Sequence, residues 1–214
     1  MTVETDTKPC ATSCCGQSVV FDGASPAYRR ILTAVIAINA AAFIAVALGS
    51  LSQGSAALAA NALDFLADSA TYAISLWVIG RSARTRAGAA LLKGASLAVV
   101  AAAVLSFAIW RAMTGAPPQG NVITGLGVLG FLANLLAALL LVRFRDGDAN
   151  VRSVWLCTRN DLIESLAVVV AGGLVWLTGS RWPDLITGVF LAGVFLQSAY
   201  VIVRQSQAEL RAAA

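Results

Sequence analysis

Six stretches of about 20 mostly apolar residues occupy most of this chain, near 31–51, 56–79, 89–110, 122–142, 155–177 and 185–203. Each is long enough to cross a hydrocarbon core of about 30 Å as an α-helix. Short connectors with turn chemistry separate them, such as GSLSQGS, TGAPPQGN, RFRDGDANVR and TGSRWPD, and none is long enough for a second folded domain. The pattern predicts an all-α polytopic membrane protein. A six-helix bundle over 29–205 is flanked by a flexible, cysteine-containing tail at 1–28 and a short tail at 206–214.

Composition removes the soluble alternative, since 58% of residues are hydrophobic, 12% are charged and the mean hydropathy is +0.79. Soluble domains carry about 25% charged residues. A net charge of +4 invites a nucleic-acid reading, but the Lys and Arg residues lie between the apolar runs and build no basic face. No nucleic-acid partner is expected. Three of the four cysteines crowd at Cys10, Cys14 and Cys15, unlike the spread framework of a disulfide-stapled secreted domain. The polar N-terminal segment is no cleavable signal, because the run that follows it is too long for one.

Charge placement predicts orientation. Arg29 and Arg30 precede the first run, Arg81, Arg84, Arg86 and Lys93 follow the second, Arg143, Arg145 and Arg152 follow the fourth, and Arg204 and Arg211 follow the sixth. The opposite connectors hold only Arg111 and Arg181, so the positive-inside rule puts both termini in the cytoplasm of a bacterial inner membrane. Runs rich in Ala and Gly allow close helix approach, and Trp77, Trp110, Trp155, Trp176 and Trp182 fall near span ends as interfacial anchors.

Carboxylates interrupt the second and fifth runs. A charged side chain at membrane depth costs about 2.5–3.5 kcal/mol on insertion scales, which makes each a candidate for function. Asp64 and Asp68 are four residues apart, hence one turn apart on one helix face. Cys157 and Asp161 repeat that spacing on the fifth run, so two helices together offer three oxygens and one sulfur. Such a shell suits zinc or a softer ion such as cadmium. The structural alternative is polar glue between helices, with the acids satisfied by Arg159, Lys93, hydroxyls or backbone, and with Cys157 a small buried hydrophobe. Glu164 is placed to join the site, to line the metal path or to pair with Arg159. Asn160 and Asn61 are possible accessory residues. Arg159 points about 160° away from Cys157 and reads as a snorkelling or supporting residue.

The segments GSAALAANALDFLADS, GVLGFLANLLAALLL, CTRNDLIESLAVVVAG and RWPDLITGVFLAGVFLQSA, in this order, resemble the membrane domain of the cation diffusion facilitator family from about residue 28 to residue 210. In that family an acidic or His residue and an Asp four positions later on the second helix face a His or Asp and an Asp on the fifth. The resemblance implies Asp64, Asp68, Cys157 and Asp161 as the metal site, and a homodimer.

Three departures stand out. The chain ends about ten residues after the sixth run, so no C-terminal metal-binding domain is expected, and either the dimer holds through the membrane domain or the oligomer differs. There is no histidine, and the connector between the fourth and fifth runs offers only Asp146 and Asp148 to gather cations. Cys157 stands where the family usually has His or Asp, which leans the preference toward thiophilic ions.

The resemblance implies export of a divalent cation by alternating access, with protons entering from the far side. Zinc or cadmium is the expected cargo, with cobalt, manganese, iron and mercury open, and no prosthetic group or enzymatic activity is expected. Three carboxylates and a thiolate exceed the charge of one divalent ion, so the empty site should hold protons and release them as metal binds. The N-terminal Cys10, Cys14 and Cys15 are close enough in sequence to chelate a soft ion and deliver it. Two other classes compete: a non-transporting metal sensor or scaffold, and a small organic-cation exporter. With only 7% aromatic residues, the chain has little to wall an organic cation.

Overall fold

Ser25 starts the first helix, its Oγ accepting the Tyr28 amide at 3.2 Å, with Pro26 in the first turn where a missing N–H costs nothing. The computed structural model describes residues 25–79, 81, 83–146 and 149–212. Among these lie six α-helices and no strand: α1 (Pro26–Gln53), α2 (Ala56–Val78), α3 (Ala83–Thr114), α4 (Gly120–Leu141), α5 (Ala149–Thr178) and α6 (Trp182–Ala212). A short 3-10 turn, Val142–Phe144, follows α4. Gly54 and Gly179, both at φ 63°, end α1 and α5 in the left-handed conformation that favours glycine.

Five helices are long and apolar enough to cross a membrane, and α2 is not among them. The expected sixth apolar span is therefore a helix of a different kind. Asn61, Asp64 and Asp68 lower its hydropathy, and α2 tolerates them because it is the central helix, packed against each of the other five. Its exposed positions, Leu66, Ala70, Ala73 and Trp77, form one narrow stripe. The outer helices show the complementary pattern, with large apolar residues such as Ile44, Leu48, Val99, Leu132, Leu139 and Val170 turned outward. So much exposed apolar surface suits lipid and would be untenable in water.

Two antiparallel pairs organise the bundle. α3 runs along α6, with Gly94 against Ala199 and Val203, and Ala108 in one cluster with Leu185. α4 runs along α5, where Gly120 meets the backbone of Gly172 and Trp176, and Gly172 meets Thr124. α1 and α2 join the second pair, and their shared core includes Phe65, Ala42, Val46 and Ile123. The start of α1, α3 and α5 and the end of α2, α4 and α6 thus share one face, which carries most of the Arg residues.

Polar contacts tie the opposite face together. Asp184, buried in the first turn of α6, accepts from the Ser55 hydroxyl and from the amides of Ala56 (2.8 Å) and Ala57 (3.2 Å) at the start of α2. A carboxylate there satisfies amides that the helix itself leaves unpaired and sits at the positive end of its dipole. Arg111 and Arg181 donate to the carbonyls of Ala116 and Gly115, tying down the connector between α3 and α4.

Candidate metal centre

Asp64 and Asp161 face each other across α2 and α5, and Glu164, one turn after Asp161, joins them. Each of the three offers a carboxylate oxygen, and these oxygens lie within 4.8 Å of one another. Tetrahedral zinc with oxygen ligands at 2.0–2.2 Å needs oxygens about 3.4 Å apart, so a small inward adjustment of the side chains would close the shell. Asp161 Oδ2 and Glu164 Oε2 are buried with no hydrogen-bond partner among the described residues. Buried acceptors left without donors are costly, and a cation is the partner that would satisfy both at once.

The cluster lies on the wall of an open cavity of about 490 Å³ lined by α2, α3, α5 and α6. The parts of α3 and α5 that line it, around 93–97 and 157–167, belong to the half of each span next to the Arg-bearing face. Phe190, Val194 and Phe195 of α6 also line it.

The four residues expected from spacing all line this cavity, but they do not form one equal shell. Asp68 faces Asp161 and also accepts from the Tyr72 hydroxyl at 2.8 Å. Tyr72 Oη in turn lies 2.9 Å from Thr158 Oγ1, which donates to the Val154 carbonyl. Cys157 is half-buried as a free thiol, with its Sγ 3.9 Å from Lys93 Nζ.

The accessory residues separate. Asn160 is exposed and lines the cavity, whereas Asn61 does not. Asn61 Oδ1 accepts from Ser165 Oγ at 3.3 Å, and that hydroxyl accepts from Asn134 Nδ2 at 3.1 Å, a polar tie joining α2, α5 and α4 just beyond the acids. Arg159 is exposed with its guanidinium 5.5 Å from the Trp155 ring centre, so Glu164 is not spent on it. Cys10, Cys14, Cys15 and Asp148 lie outside the described residues, and Asp146 is exposed beside Arg145.

Sequence reasoning left Tyr72 and Thr158 without a role, and offered Lys93 as a positive-inside charge or a structural partner of the α2 acids. Tyr72 stands four residues after Asp68 and so shares its face, and Lys93 is the one charge inside the third apolar run; both signals were available.

Comparison with known proteins places the chain in a family. The family profile of the cation efflux transmembrane domain matches residues 32–210. The zinc transporter ZitB of Escherichia coli is 28% identical over 195 residues, covering 85% of this chain and 62% of the relative. The cadmium, cobalt and zinc/H(+)-K(+) antiporter of Bacillus subtilis is 24% identical over 120 residues, covering 55% of this chain and 39% of the relative. The chain thus spans less than two thirds of the length of the curated relatives it matches.

Proposed function

This chain belongs to the cation diffusion facilitator family, matched over its cation efflux transmembrane domain, and from that premise we propose that it exports a divalent heavy-metal cation by proton-coupled alternating access. Zinc or cadmium is the cargo, in keeping with the metals in the names of the relatives. The observation that carries this reading is the convergence of Asp64, Asp161 and Glu164 on one point inside the bundle. Orphaned buried carboxylate oxygens on α5, facing Asp64 of α2, suit a compact point charge better than a bulky organic cation.

In this reading Asp64, Asp161 and Glu164 hold the ion, and Asp68 or Cys157 gives the fourth donor from the same cavity wall. Ligand atoms must shed protons to bind metal, so uptake releases protons and protonation from the far side expels the metal. The cavity's place in the Arg-bearing half, together with the Asp184 ties opposite, supports a state open to the cytoplasm, with both termini on that side. Opening to the other side requires α3 and α6 to move against α1, α2, α4 and α5. The working unit is a homodimer in a bacterial inner membrane.

Metal uptake into everted vesicles under a pH gradient tests this directly, comparing zinc, cadmium, cobalt, manganese, iron and mercury. Gradient-driven zinc or cadmium uptake that disappears in Asp161→Asn is expected. Uptake of no ion, or undiminished uptake by the variant, refutes the reading. Cys157→Ser addresses selectivity separately: a shift from cadmium toward zinc marks the thiol as a ligand, and an unchanged ratio assigns the fourth position to Asp68.

A further inference from the structure

Lys93 is the one basic side chain among the described residues lining the acidic cavity. It projects from α3 into the cavity that α2 and α5 also line, with its Nζ 3.9 Å from Cys157 Sγ. It lines the same cavity as Asp64, Asp68 and Cys157. Yet it is locked to none of the acids. The one close ion pair among the described residues is the exposed Arg145–Asp146.

A cation placed among several acids without a fixed partner is easily displaced. The ammonium sits on a flexible four-carbon stem, and α3 begins ten residues earlier on the Arg-bearing face, so the stem can swing toward that face. Electrostatics also calls for such a charge. Four carboxyl groups and a thiol around one divalent ion would hold it too tightly for release, and a permeation site must bind strongly enough to fill and weakly enough to empty.

We propose that Lys93 is a tethered counter-cation of the metal site, standing in for the metal when the site is empty and competing with it for the same acids. It thereby sets affinity and release without being a ligand. This rests on the metal site proposed above.

The test is zinc titration calorimetry on the purified full chain in detergent, paired with zinc transport in proteoliposomes. Lys93→Met and Lys93→Gln are expected to bind zinc about tenfold more tightly, equivalent to about 1.4 kcal/mol. Their KM for zinc should fall in parallel while Vmax drops several-fold, because release is slowed. Lys93→Arg keeps the charge and should stay close to the parent in both. Damage to the fold would instead weaken binding. In the unmodified chain, saturating zinc should also increase labelling of Lys93 by an amine-acylating reagent, as the ammonium leaves the acids.

Equal or weaker zinc binding by both neutral variants, with the parent binding normally, overturns the proposal, as does unchanged labelling of Lys93 on zinc addition. If the parent itself binds no zinc, or Asp161→Asn binds as well as the parent, the metal site has failed and Lys93 with it.

Discussion

Tyr72 donates its phenolic hydrogen to Asp68 Oδ2 at 2.8 Å, one turn along α2. Its oxygen is also 2.9 Å from Thr158 Oγ1, whose own hydrogen goes to the Val154 carbonyl. The phenol therefore fixes one oxygen of Asp68 and leaves the carboxylate aimed at the cavity. Hydrogen-bonded supports of metal ligands contribute about 10–100-fold to affinity. Tyr72→Phe keeps the ring packed against Leu32, Val35 and Leu141 and removes only the hydroxyl. Calorimetry should show zinc binding weakened about tenfold with the melting temperature nearly unchanged; equal affinity would mean that Asp68 needs no support or plays no part.

Glu164 and Asn160 both line the cavity, but only Glu164 has an oxygen in the converging trio. Glu164→Gln should therefore reduce zinc binding by at least about tenfold, while Asn160→Ala changes it less than about twofold. Comparable losses in the two variants would show that the cavity's general polarity matters and the trio does not.

The six helices and the acids on α2 and α5 were legible in the sequence because hydrophobic runs and a four-residue spacing are local properties. What the sequence hid is relational. Asp64, Asp68, Cys157 and Asp161 look equivalent by spacing, yet side-chain length lets Glu164 reach the point where Asp64 and Asp161 meet, while Cys157 turns toward α3. Lys93 reads as a connector charge or a partner of the α2 acids until α3 is seen to bring it beside Cys157 of α5. Asn61 reads as an accessory ligand until Ser165 and Asn134 take up its amide oxygen from two other helices. Depth along a helix can be counted from sequence, but which face meets which neighbour cannot.

Asp184 ties the start of α6 to the start of α2 by accepting from Ser55, Ala56 and Ala57. Asp184→Ala would leave two backbone amides and a hydroxyl buried without that acceptor, at about 1–3 kcal/mol for each unsatisfied group. Asp184→Asn, which retains one carbonyl oxygen, should lie between. Thermal unfolding in detergent is expected to order them parent, Asn, Ala, from most to least stable. If Ala melts with the parent, the ties do not hold this face together.

Gly172 and Gly173 are neighbours on α5 with opposite surroundings. A Cβ on Gly172 would lie 2.5 Å from the Thr124 amide nitrogen and 3.0 Å from the Ile123 carbonyl carbon, whereas one on Gly173 meets nothing within 4 Å. Backbone atoms cannot step aside as a side-chain tip can, so Gly172→Ala has to force α4 and α5 apart. Overpacking of this kind costs about 1–3 kcal/mol. At Gly173 the same substitution adds a methyl group toward open space and gains helix propensity, worth about 0.5–1 kcal/mol in a helix interior. Melting curves should thus move in opposite directions for two adjacent, chemically identical substitutions. Because the Asn134–Ser165–Asn61 tie and the acids of α5 depend on the same α4–α5 contact, Gly172→Ala should also weaken zinc binding, while Gly173→Ala leaves it unchanged. Loss of stability in both, or in neither, would contradict the close approach of these helices.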